Sequence, residues 1–106
     1  MTIDEFQKRI EDIYFERDRA RGVSGTFLWF TEEVGELAAA IRSGSEDDLR
    51  EEFADVLAWL VSLASITGVR MEDAIEKYVH GCPYCRQTPC TCRKETLKGE
   101  NHDGRE

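Results

Sequence analysis

Proline and cysteine are missing from the first 81 residues of this 106-residue chain: both prolines and all four cysteines lie beyond Gly81. Long apolar runs are missing as well. The longest, residues 54–66, is interrupted by Asp55 and two serines and is too short to cross a bilayer, so no transmembrane segment is expected. The opening MTIDEFQKRIEDIYFERDR is charged throughout and lacks the apolar centre of a secretory signal, which makes a cytoplasmic location the expectation. Positive charge is in short supply. At a net charge of −8 the molecule repels nucleic acid backbones, so no nucleic acid partner is expected. Any phosphate chemistry would need metal ions as intermediaries.

The charged fraction is 34% and the hydrophobic fraction 41%, a balance suited to one soluble helical domain. Period and punctuation place four helical segments. Ile3, Phe6, Ile10, Ile13 and Tyr14 recur at helical spacing behind a capping box of Thr2 and Glu5. RGVSG follows, where Gly22 and Gly25 predict a loop, and Thr26 is the expected N-cap of the second helix. That helix should stop at Ser43-Gly44, with Ser45 capping a third whose stripe is Leu49, Phe53, Val56, Leu57, Leu60, Leu63 and Ala64. A shorter fourth helix reads from about Met71 to Tyr78. The expected fold is therefore an all-α antiparallel bundle of about four helices. One short chain offers it little apolar area, so oligomerisation, as a homodimer or homotetramer, is expected to complete it. The expected divisions are a helical domain at 1–80, a cysteine-rich appendage at 81–93 and a polar, disordered tail at 94–106.

TEEVGELAAAI at 31–41 and REEFADVLAWL at 50–60 match in kind at an offset of 19, pairing Glu32, Glu33 and Glu36 with Glu51, Glu52 and Asp55. At about 100° per residue, Glu33 and Glu36 stand roughly 60° apart on the shoulder of the core stripe, as do Glu52 and Asp55. Glu32 and Glu51 point farther out. The short connection at 42–46 makes the helices antiparallel neighbours, so the two pairs can converge in one groove. Either pair alone is an ordinary solvated helix face; the duplication is what argues for a site. Converging carboxylates repel and raise one another's pKa unless cations sit among them. Mg²⁺ is the natural ion, because it binds through a few carboxylates plus substrate phosphates.

These words, with TFLWFTEEVGELAAAI and DLREEFADVLAWLVSLA around them, resemble the MazG-like nucleotide pyrophosphohydrolases of the all-α NTP pyrophosphatase superfamily, over roughly residues 1–78. The resemblance implies Mg²⁺-dependent hydrolysis of a nucleoside triphosphate between its α and β phosphates, releasing the monophosphate and pyrophosphate, as housekeeping of the nucleotide pool. By the same resemblance Glu33, Glu36, Glu52 and Asp55 hold the metal, and Glu33 or Glu36 serves as general base. Relatives often carry asparagine seven residues beyond the last motif acid. Here that residue is Ser62, and Lys77 matches a later basic cluster only loosely, so the departures bear on substrate preference.

Trp29 stands four residues before Glu33 and Trp59 four after Asp55. In antiparallel helices both offsets lead to the same end of the groove, where the indoles either stack on a nucleobase or fill the core or a subunit interface. Lys77, Arg17, Arg19 and Arg21 are candidate phosphate contacts, each equally readable as a solvated charge. Gly35, inside a helix, costs about 1 kcal/mol against alanine, which suggests a close approach by a neighbouring helix.

Cys82, Cys85, Cys90 and Cys92 form C-x₂-C-x₄-C-x-C. In a reducing compartment such spacing suits one structural Zn²⁺, with redox-active or unligated cysteines as the alternative and His80 and His102 as possible substitute ligands. Two other functions remain in view. A di-iron bundle needs Glu-x-x-His pairs, and neither acidic helix contains histidine. A non-enzymatic, zinc-bearing helical interaction module would use the acids as a docking face.

Overall fold

The computed structural model describes residues 1–93, so the tail expected at 94–106 and His102 lie outside the described residues. Helix α1 spans Ile3–Ser43, α2 spans Glu46–Ile66, and α3 is the single turn Met71–Ala74, followed by a 3-10 turn at Ile75–Tyr78. Among the described residues there is no strand. No single helix there is long and apolar enough to cross a membrane. The chain divides into a unit at Met1–Ala74 and a second that begins at Ile75.

Local signals set the helix ends. The Thr2 hydroxyl accepts from the Glu5 amide at 3.0 Å, and the Thr2 amide donates to Glu5 Oε1 at 2.8 Å, which satisfies two otherwise orphaned groups at the start of α1. Gly44 closes the helix in the left-handed conformation, its amide donating to the Ala40 carbonyl. Ser45 then caps α2, accepting from the Asp48 amide at 3.3 Å. Only Gly44 and Ser45 separate the two helices, so α2 runs back along α1.

The expected loop at RGVSG does not form. Gly22 alone leaves helical geometry, at φ 88°, ψ 170°, a region essentially reserved for glycine. It breaks α1 into arms at 3–21 and 23–43, and Thr26 is a buried residue inside the second arm rather than its N-cap. Arg21 pins the break: Nη1 donates to Asp18 Oδ1 at 2.8 Å on one side and to Thr26 Oγ1 at 3.3 Å on the other. Gly25 makes room for that side chain, since a Cβ there would stand 2.7 Å from Arg21 Cγ. The four expected segments thus become a broken α1, α2, the α3 turn and a 3-10 turn.

Among the described residues the buried apolar set is small: Ile10, Ala40, Val61 and Ala64. As many polar residues are buried, namely Gln7, Asp18, Thr26 and Ser62. Gln7 ties the far end of α1 to the end of α2. Its Nε2 donates to Ser65 Oγ at 2.9 Å and the Val69 carbonyl at 3.0 Å, and its Oε1 accepts from the Met71 amide at 2.8 Å. Arg70 adds charge-assisted bonds to Asp4 and Glu11, both at 2.6 Å, and holds the Asp4 carboxyl below its ordinary value. The stripe expected to face the core lies partly outside it: Phe53 is 58% exposed, and Leu57 and Leu60 are also exposed. Gly35 has nothing within 4 Å of a would-be Cβ, so the close approach expected there is not made by the rest of this chain's described residues.

Candidate active site

The second arm of α1 presents Glu33, and α2 presents Glu52 and Asp55 one turn apart, so the helix hairpin brings carboxylates from two helices to one place. One oxygen from each of the three lies within 4.8 Å of the others. Glu36 is not in this trio; it is exposed one turn along α1, near enough for its charge to act on Glu33. Glu32 and Glu51 are exposed.

The Glu33 carboxyl is pushed up to about 7, first by burial, then by its hydrogen bond with Glu52 and by the charges of Asp55, Glu52 and Glu36. Glu52 Oε1 is buried with no hydrogen-bond partner, and an unsatisfied buried oxygen costs about 1–3 kcal/mol. A carboxyl pushed up towards neutrality and an orphaned oxygen on its neighbour are what a site short of positive charge would show. The donor set is all hard oxygen, which fits a divalent cation such as Mg²⁺.

Beside the trio opens a cleft of about 260 Å³, lined by Tyr14, Arg17, Asp18 and Arg21 from the first arm of α1 and by Asp55, Ala58, Trp59 and Ser62 from α2. Asp55 therefore belongs to both the trio and the cleft wall. The Arg21 guanidinium lies over the Trp59 ring at 4.9 Å, while its bonds to Asp18 and Thr26 fix its orientation. Trp29 meets Trp59 in a stacked pair, centroids 6.0 Å apart and planes 12° from parallel. The tryptophans thus meet at the end of the groove to which their spacing points, with Trp29 about half exposed. Arg19 lies over the Phe15 ring at 5.9 Å. Lys77 belongs to the second unit and lies over the Tyr78 ring.

Asp18 escaped notice in the sequence. It is 3% exposed and sets the direction of Arg21. The signal was there in its i,i+3 spacing from Arg21, a pair that faces itself on a helix.

In the second unit Cys82, Cys85, Cys90 and Cys92 bring their sulfurs within 4.8 Å of one another, without His80.

No curated protein matches the chain. The model of the MazG nucleotide pyrophosphohydrolase domain matches residues 21–85, a span that holds both acidic words and both tryptophans. A match over more than half of the chain, centred on the helices that build the carboxylate trio, shows that this protein belongs to the MazG nucleotide pyrophosphohydrolase family.

Proposed function

We propose that this protein is a Mg²⁺-dependent nucleoside triphosphate pyrophosphohydrolase, cleaving (d)NTP to (d)NMP and pyrophosphate in the housekeeping of a cytoplasmic nucleotide pool. The observation that carries the reading is the sharing of Asp55 between the carboxylate trio and a cleft furnished with arginines and an indole. Groups suited to a metal, to phosphate and to a base stand side by side along α2.

Glu33, Glu52 and Asp55 would hold Mg²⁺, with Glu36 one turn away to complete the set. When bound, the ion supplies neutralisation of phosphate charge and a lowered pKa for the attacking water. The chain's own groups do the rest. Arg17 and Arg21 offer cationic donors in a molecule of net charge −8, and Arg21 is already oriented by Asp18 and Thr26. A guanidinium so fixed loses little freedom on meeting a phosphate oxygen. A nucleobase would extend the Trp29–Trp59 stack, leaving the triphosphate directed towards Asp55. The apolar side chains of Phe27, Leu28, Ile41, Phe53, Leu57 and Leu60 are exposed, which supports association into a homodimer or homotetramer.

The test is release of pyrophosphate and monophosphate from a panel of ribo- and deoxyribonucleoside triphosphates. Turnover is expected to require Mg²⁺ and to fall to background in Glu52→Gln, with helical content unchanged. Absence of turnover with every triphosphate by the folded wild type would refute the reading in favour of a non-enzymatic interaction module.

A further inference from the structure

The geometry points to a second metal centre of a different kind: a closed, four-thiolate Zn²⁺ site formed by Cys82, Cys85, Cys90 and Cys92. At a Zn–S distance of about 2.3 Å, a tetrahedron of sulfurs has edges of about 3.8 Å. Cys82 and Cys92 Sγ are 3.8 Å apart, Cys85 and Cys90 Sγ 3.9 Å apart. Both edges join the C-x₂-C half of the segment to the C-x-C half. All four sulfurs fall within 4.8 Å of one another, a span that fits one ion at their centre; four thiolates around a multi-iron cluster would spread wider. The pairs stand far beyond the roughly 2.05 Å of a disulfide, and all four cysteines are free.

The backbone is arranged for thiolates. The Tyr84 amide points at Cys82 Sγ (3.4 Å), the Thr91 amide at Cys85 Sγ (3.2 Å) and the Cys92 amide at Cys90 Sγ (3.3 Å). Such N–H groups orient metal-bound sulfur and offset its negative charge. The turn that brings the halves together is tightly closed: the Arg86 amide donates to the Cys82 carbonyl at 2.6 Å, and the Cys82 amide to that of Gln87 at 3.0 Å. Arg86 sits in the left-handed region at φ 64°. Gly81, at φ 105°, admits no side chain, since a Cβ would meet Thr88 Oγ1 at 2.7 Å and the Gln87 carbonyl oxygen at 2.9 Å. A dozen residues bury too little apolar surface to hold such a shape unaided, and a structural metal supplies what is lacking. With four protein ligands the ion has no open position, so its role is to fold this segment and not to bind substrate.

The full-length chain, reduced and stripped with a chelator, is titrated with Co²⁺ as a spectroscopic probe. The expected result is saturation at one equivalent, with the intense thiolate charge-transfer and ligand-field absorption of a tetrahedral site, and its loss on adding one equivalent of Zn²⁺. Cys85→Ser and Cys90→Ser should lose that spectrum, whereas Glu33→Gln and Glu52→Gln should keep it. Thiol alkylation of the wild type, with and without Zn²⁺, needs no variant: all four cysteines should be protected together. A weak octahedral cobalt spectrum, alkylation unchanged by Zn²⁺, or purification of the chain with its cysteines paired as disulfides would overturn the proposal.

Discussion

Stripped of divalent cations, this protein should lose stability relative to its Glu33→Gln variant as pH rises from about 5 to 8, and Mg²⁺ should offset that relative loss only at the upper end. The Glu33 carboxyl titrates at about 7 in the fold against an ordinary 4.5. Between those values the folded chain holds a proton that the unfolded chain has released, so stability falls with rising pH. The penalty is absent below about pH 4.5 and complete above about pH 7.5. A rise from 4.5 to about 7 corresponds to at most about 3 kcal/mol. Screening at a partly exposed carboxyl reduces this to about 1–2 kcal/mol. A domain of this size shifts its Tm by roughly 4–8 °C per kcal/mol. The assay is thermal unfolding at fixed protein concentration, in EDTA and in Mg²⁺, for the wild type and Glu33→Gln. Thiols also titrate in this range: amide hydrogen bonding from Thr91 is the largest cause holding Cys85 down to about 5, an effect of opposite sign. It is common to both proteins and cancels in their difference. A metal-free difference between wild type and Glu33→Gln that stays flat from pH 5 to 8, or an equal Mg²⁺ effect at both ends, would refute the reasoning.

Other substitutions probe the frame. Gly22→Ala forces a side chain into a glycine-only conformation and should cost about 1–3 kcal/mol in denaturant unfolding. Gln7→Leu orphans the Val69 carbonyl and the Met71 amide, an expected loss of about 2–4 kcal/mol by the same measurement. Gly35→Ala meets open space and should gain up to about 1 kcal/mol; a weakened oligomer in sedimentation instead would place a partner subunit against that turn. Trp29→Ala should raise KM for nucleotide more than it lowers kcat, with the Tm little changed because the indole is about half exposed.

The parts of the fold written in local chemistry were legible. The Thr2–Glu5 box, Gly44 and Ser45 act on neighbours three or four residues away, and the last two set the hairpin that brings Glu33 to Glu52 and Asp55. RGVSG misled because two glycines in four residues read as a loop, whereas one supplies a single positive φ and the other only makes space for Arg21. Periodicity found the apolar stripe on α2 but not what covers it, and Phe53, Leu57 and Leu60 stay exposed in the single chain. Gln7 gave no signal at all, since its partners Ser65, Val69 and Met71 lie 58 to 64 residues away.

The break at Gly22 also explains how an acidic helix pair acquires arginines at its site. The hairpin register set by Trp29 opposite Trp59, extended along a straight α1, would carry Arg21 opposite roughly residue 67, about 12 Å beyond that indole at 1.5 Å per residue. Instead Arg21 lies over the Trp59 ring at 4.9 Å. The first arm is drawn back, so that Arg17 and Arg21 overlap the stretch of α2 from Asp55 to Trp59 already faced by the second arm. Farther along, Gln7 and Glu11 still reach Ser65. Both arms therefore meet α2 at the same two turns, one bringing a carboxylate and the other guanidinium groups. Neither sign of charge alone could hold the triphosphate and cation of the proposed reaction, and the single non-helical residue of α1 is what lets one helix deliver both.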